Sequence, residues 1–329
     1  MTDALLVPLR DLELADAQGR RREFAEKAKA EGTWRVYNRH WLRFVTFAEG
    51  RSASPWPPTD PGLVADYIIH MREGGAAAST MKVALAAIAH RSRLAGSLSP
   101  TEHPQVQEVL AGAVRLAARE GAGRGSSDPL LPADIRSFIS VLKQGLIGQR
   151  DMALLTFGLS GGFRREELTR LRVENLRIDR EGILVTLPWS KTDQTGKGHT
   201  RRIVRGEHQE LCPVANIETW LAASGIRSGH LFRPITRGVV RERQLSARRI
   251  DQVIREYAER VMVVKPGALR GKRYSAHSLR AGLCTAAALA GKPEHQIRDH
   301  VGHKSAQTTA KYIRMAKVAQ STVTKGIGL

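Results

Sequence analysis

The stretch "HVGHKSAQTTAKYIR", residues His300 to Arg314, sets two histidines, a glycine, two threonines and one tyrosine in a basic setting. Gly302 reads as a helix end, because glycine takes the left-handed conformation that closes a helix at little cost. His303 follows it directly, and Tyr312 stands nine residues further on. From these residues alone Tyr312 has two readings. It is either an aromatic that packs a helix onto a core, or a phenol whose oxygen attacks an electrophile.

Working outward, "HSLR" puts His277 and Arg280 three apart, on one helical face. "GFRREEL" places Arg164 just past the Gly161–Gly162 helix break, with Glu167 three residues later. Two arginines, two histidines and a phenol make a kit for phosphodiester chemistry. Guanidinium forks neutralise non-bridging oxygens, histidine donates to them or handles a proton, and a tyrosine hydroxyl can form a phosphotyrosine. Each member also has a plain structural reading. An HxxR pair is commonly surface decoration, and Arg164 beside Arg165, Glu166 and Glu167 could form an ordinary salt-bridge ladder. No Walker loop, paired-carboxylate metal site or zinc cluster stands in the sequence, so no metal and no cofactor are expected.

The bulk numbers favour a polyanionic partner. Lysine and arginine outnumber the acids 52 to 32 over 329 residues, a formal charge of +20 spread along the whole length. The two cysteines, Cys212 and Cys284, make no disulfide framework. No apolar run is long enough to span a membrane, and no secretory leader is expected. The reading is a cytoplasmic protein facing DNA or RNA.

"GAGRGSSDP", residues 121–129, is a linker by composition and divides the chain into residues 1–120 and 130–329. The first part reads as helices only. In one, capped at Thr33, Trp34, Tyr37, Trp41, Phe44, Val45 and Ala48 form a stripe opposite Arg35, Arg39 and Arg43. A second starts at Asp60 and Pro61 and stops at Gly74–Gly75. A third, capped at Ser79, offers Lys82, His90, Arg91 and Arg93 to a polyanion, and a fourth runs from about Pro104 to Glu120. Beyond the linker helices dominate. The exception is a hairpin signal, Ile183 to Trp189 and Thr200 to Val204, around a polar loop holding Lys191 and Lys197. "SARRIDQVIREYAERV" is a helix with Ile250, Ile254, Tyr257 and Val261 on one stripe and Arg248 and Arg249 near its start.

The order and spacing of these residues resemble those of the tyrosine recombinases, the phage-integrase family, and in overall plan the Cre and Xer recombinases. The matching positions are Arg164 with Glu167, Lys191 in "WSKTDQ", His277 and Arg280, Gly302–His303, and Tyr312. The 26 residues from His277 to His303 and the 35 to Tyr312 fit the family pattern. The resemblance spans the chain from about residue 128, while the N-terminal helices share only the character of the family's DNA-clamping domain. It implies a mainly α fold with a small antiparallel β-sheet in the catalytic domain (α+β), an all-α N-terminal domain, and a C-shaped two-domain clamp.

The resemblance further implies that Tyr312 is the nucleophile, giving a 3′-phosphotyrosine. Arg164, Arg280 and His303 would stabilise the transition state, and His277 would take the phenol proton, with Glu167 in support. Lys191 would protonate the leaving 5′-oxygen, although Lys197 shares its loop. Strand exchange would pass through a Holliday junction in a homo-tetramer on double-stranded DNA with an inverted-repeat site. Off DNA the chain would be a monomer or weak oligomer of a bacterial or phage-encoded, nucleoid-associated protein. Arg248 and Arg249 would read bases, and Arg35, Arg39, Arg43, Lys82 and Arg91 would position the other domain on phosphates. The tail after Tyr312 would dock on a neighbouring subunit. A DNA-relaxing enzyme like a type IB topoisomerase and a cleavage-inactive DNA-binding regulator are the alternatives.

Overall fold

A computed structural model describes residues 31–121, 127–187, 198–269 and 271–319. The chain divides into two compact units, Met1–Gly125 and Ser126–Leu329. The described part of the first is all helical: α1 (Glu31–Glu49), α2 (Pro61–Glu73), α3 (Ala78–Leu94) and α4 (Pro104–Arg119). Trp41, Phe44, Phe47 and Ala48 of α1 meet Leu63, Val64, Tyr67 and Ile68 of α2 and Met81, Leu85 and Ile88 of α3 in one core. Burial of such side chains contributes about 1.5–3 kcal/mol each. The α2 start is local chemistry: the Asp60 carboxylate accepts from the Gly62 and Leu63 N–H groups at 3.1 Å each.

Two expected caps are displaced. Thr33 lies inside α1, and α3 starts one residue ahead of Ser79, at Ala78 after an extended Ala77. Packing of the apolar faces fixes these starts, overriding the local preference of a hydroxyl for the cap. His90 is also corrected. It is 8% exposed and packs on Trp34 and Tyr37, with ring centroids 4.9 and 5.6 Å away, so it is not offered to a polyanion.

The second unit holds α5 (Pro132–Ile139), α6 (Gly145–Gly161), α7 (Arg165–Arg170), α8 (Pro213–Ser224), α9 (Ala247–Val264), α10 (Ala276–Leu289), α11 (Glu294–Val301) and α12 (Ala306–Ala319). Strands β1 (Leu176–Ile178), β2 (Gly182–Leu187) and β3 (His199–Val204) form one antiparallel sheet in the order β1-β2-β3. Ile183 pairs with Ile203 and Val185 with Arg201. A short pair, β4 (Ile235–Thr236) and β5 (Val239–Val240), completes the strands among the described residues. The mainly helical fold with small antiparallel sheets agrees with the expectation. Strand β1 was not foreseen, because three residues carry too little alternation to signal a strand.

Helix α6 is buried along most of its length, with Leu154, Leu155 and Phe157 at 0% exposure, and it packs on α8 and α10. It is therefore the post around which the other elements are placed. The Ile250, Ile254, Tyr257 and Val261 stripe of α9 is buried, and the Tyr257 hydroxyl donates to Asp151 Oδ2 of α6 at 3.0 Å. Among the described residues no helix is long and apolar enough to cross a membrane.

Candidate active site

Two left-handed glycines aim the chain into one site. Helix α6 ends at Gly162, φ +55°, where an added Cβ would meet Leu283 and Val301 side-chain atoms at 2.7 and 2.8 Å. Phe163, 0% exposed, then anchors the turn, and Arg164 falls at the N-cap of α7. Helix α11 ends likewise at Gly302, φ +67°, and the next residue is His303. The C-terminal carbonyls of both helices, which carry partial negative charge, thus face the same space.

Three guanidiniums answer them. Arg280 Nη1 donates to the Gly162 carbonyl at 2.8 Å, and Arg164 Nη2 donates to the Gly302 carbonyl at 3.0 Å. Arg201, on β3, donates to the Gly161 and Val301 carbonyls at 2.7 and 3.4 Å, bridging both helix ends. One carboxylate sits among them. Glu167 Oε1 accepts from Arg164 Nη1 at 2.7 Å, and its Oε2 accepts from the Arg164 N–H at 3.0 Å and from Arg201 Nη2 at 3.2 Å.

The charges do not cancel. Three guanidiniums against one carboxylate leave two positive charges over among these four groups. Burial works to raise the Glu167 pKa, but the Arg201 charge and the Arg164 hydrogen bonds outweigh it and hold the carboxyl below its usual range. Burial and the neighbouring Arg164 charge pull Arg280 down to about 10. Arg280 is 2% exposed, yet its Nη2 has no hydrogen-bond partner among the described residues. A buried, charged donor left open is costly, so a site of this composition is built for an anion.

The histidines and the phenol complete the site. Ser275 caps α10 by accepting from the His277 N–H at 3.2 Å, and Arg280 follows one turn on. Arg280 Nε donates to His303 Nε2 at 3.3 Å, and the other ring nitrogen, Nδ1, is 2.9 Å from Thr309 Oγ1. Burial, then the charges of Arg280 and Arg164, lower His303 to about 4, so its imidazole is neutral at pH 7. The Tyr312 hydroxyl lies 3.3 Å from His277 Nε2, and its ring is nearly parallel to that of His303, 10° between planes and 6.3 Å between centroids. Tyr312 is half-buried against the Cys284, Ile297 and Val301 cluster, not sealed in it. Loss of water, then the Arg280 and Lys311 charges, lowers the His277 pKa. Burial raises that of Tyr312.

Arg164, Glu167, His277, Arg280, His303 and Tyr312 are therefore gathered in one place. Arg165 is separate, paired with Asp251 at 2.7 Å and Glu166 at 3.0 Å. Lys191 and Lys197 lie outside the described residues. Arg201 and Thr309 were missed by the sequence reading. The signal for Arg201 was an arginine sharing the inward face of β3 with Ile203, where alternation predicts an apolar residue. For Thr309 no signal beyond its place one turn before Tyr312 was present.

The residues expected on DNA are less uniform. Arg35, Arg39, Arg43, Lys82 and Arg248 are exposed. Arg91 is half-buried, donates to Asn38 Oδ1 at 3.0 Å and stands over the Trp41 ring at 5.6 Å. Arg249 is held as a fork by Glu256, at 2.5 and 3.2 Å, and so is not a free reader of bases. Among the described residues no group of three or more histidine, cysteine or acidic side chains is placed to hold a metal ion.

Residues 129–318 match the phage integrase family. The chain is 28% identical over 296 residues to an integrase/recombinase XerD homolog of Selenomonas ruminantium, covering 89% of this chain and 84% of that protein. It is 22% identical to the recombinase Cre of Escherichia phage P1, covering 88% and 85%. Among solved structures, the fold resembles the Tn1549 transposon integrase in complex with transposon right end DNA, TM-score 0.59 at 16% identity, covering 91% and 96% of the chains. It also resembles a lambda integrase dimer bound to a core site, TM-score 0.59 at 15% identity, covering 90% and 93%.

Proposed function

The chain belongs to the phage integrase family, the tyrosine-type site-specific recombinases, and on that premise we propose that it cuts and rejoins duplex DNA through a 3′-phosphotyrosine at Tyr312. The observation that carries the reading is the open donor on buried Arg280, in a cluster with surplus positive charge beside a phenol. In this reading a scissile phosphate enters between Arg280, Arg164 and His303. Fixed guanidinium donors then stabilise the negative charge that builds on the equatorial oxygens in the transition state.

The Tyr312 oxygen attacks phosphorus as its proton passes to His277 Nε2, which is neutral at pH 7 because its pKa is depressed. The P–O5′ bond breaks, and the 5′-oxygen takes a proton from a lysine of the β2–β3 loop, Lys191 by position. Attack by another 5′-hydroxyl reverses the steps and restores the tyrosine. Glu167 holds Arg164 in place from two directions.

The assembly belongs to the same proposal. Four copies on paired inverted-repeat sites would exchange strands through a Holliday junction, with residues 1–120 holding phosphates and residues 130–329 performing the chemistry. A cavity of about 720 Å³ lined by Ile135, Leu159, Ile203, Leu283 and Ile297 offers an apolar surface on which a neighbour's tail could dock. A nicked suicide duplex, from which the cut strand diffuses away, tests the chemistry. The wild type should accumulate a covalent protein–DNA band that Tyr312→Phe does not form. No band from the wild type would instead favour a cleavage-inactive DNA-binding regulator.

A further inference from the structure

The side chain of Thr309 is used by nothing in the mechanism above, yet it is 0% exposed and its hydroxyl is 2.9 Å from His303 Nδ1. It lies on α12 one turn before Tyr312, so the helix that carries the nucleophile also holds the histidine. An arginine Nε always bears its proton, so His303 Nε2, 3.3 Å from Arg280 Nε, must be the acceptor of that pair. The neutral ring then carries its proton on Nδ1, and the Thr309 oxygen accepts it.

This resting arrangement cannot serve the phosphate unchanged. To donate to a phosphate oxygen, Nε2 has to carry a proton. Two routes supply it. The ring takes a proton from solvent at Nε2 and keeps Nδ1–H on Thr309, or the proton moves to Nε2 and the Thr309 hydroxyl donates to the bare Nδ1. A hydroxyl both accepts and donates, so it keeps the ring in one place in every protonation state. A methyl in its place would leave a buried Nδ1–H without a partner.

We propose that Thr309 is a positioning residue for cleavage, fixing the His303 ring and coupling it to the helix that presents Tyr312. The inference rests on the recombinase reading, and its test separates the two. Single-turnover cleavage of the nicked duplex is measured for Thr309→Val, which keeps the shape, and for Thr309→Ser, which keeps the hydroxyl. The valine variant should cleave roughly 10- to 100-fold more slowly with unchanged DNA affinity, and the serine variant should stay within about threefold of wild type. In a His303→Ala background, valine and threonine at 309 should cleave alike.

Cleavage by Thr309→Val at the wild-type rate overturns the proposal. So does a serine variant as slow as the valine one, or a valine defect that persists without His303. Thr309→Ala, also without a hydroxyl, replaces the valine variant should that one not fold. If the wild type forms no adduct, the recombinase reading fails instead. The ring-nitrogen NMR signals of His303 then decide: an Nδ1–H signal that shifts and exchanges faster with water in Thr309→Val supports the coupling, and unchanged signals refute it.

Discussion

Arg280 Nη1 is tied to the Gly162 carbonyl at 2.8 Å, while Nη2 of the same buried guanidinium has no hydrogen-bond partner among the described residues. The first contact fixes the orientation of the fork and leaves the second atom unpaired. Because Gly162 is also the turn that sends the chain to Arg164, the two arginines are set by one piece of backbone.

Protonation should follow from burial among cations. His277 titrates below its ordinary value near 6.5, and His303 at about 4, in the free protein. The unfolded chain takes up these protons first as pH falls, so the stability present above about pH 6.5 is lost progressively toward about pH 4. Ring NMR titration should place the His277 midpoint below 6.5, and the acid limb of cleavage should lie below the same pH. A His277 midpoint above 6.5 would contradict burial beside Arg280 and Lys311 as what sets its protonation.

Arg201→Met should weaken both fold and chemistry. It strips Glu167 of one partner and frees the Gly161 and Val301 carbonyls. Breaking a buried pair from one side costs about 3–5 kcal/mol, so the urea midpoint should fall markedly. Cleavage by the folded fraction should fall as well, because Glu167 no longer has two anchors. A variant with wild-type stability and rate would show that Arg201 holds nothing of consequence.

The order Arg164, His277, Arg280, His303 and Tyr312 was legible in the sequence through its resemblance to the family, and local chemistry accounts for much of the placement. Glycines close α6 and α11, and helical spacing sets His277 beside Arg280. Arg201 and Thr309 were not legible, since their burial depends on which distant elements pack against β3 and α12. Thr33 and Ser79 misled for the same reason, as did His90, whose basic neighbours "HRSR" hide its place on an apolar face.

On α9 the two neighbouring arginines should differ. Arg248 is exposed, whereas Arg249 is forked to Glu256. Arg248→Ala should relax base preference at one position of the site, by about 1–3 kcal/mol of discrimination. Arg249→Ala should change binding to all sequences alike, if at all. Selection of binding sites from a randomised duplex checks both. A sharper loss of preference from Arg249→Ala would mean that Glu256 releases it on DNA.

In the proposed reaction a lysine of the segment between β2 and β3 gives the leaving group its proton. Lys191→Ala should cleave a 5′-bridging phosphorothiolate far better than the ordinary ester, because a thiolate leaves without a proton. An equal defect on both substrates moves the role to Lys197 or another group.

In the proposed reaction the unpaired Nη2 of buried Arg280 receives the charge of the scissile phosphate. Replacing one non-bridging oxygen by methyl removes that charge and leaves the bond to be broken in place. Cleavage of the ordinary phosphodiester by Arg280→Ala should fall by on the order of 10²- to 10³-fold or more. The methylphosphonate should restore most of this loss. An Arg280→Ala variant equally slow on both substrates would contradict it.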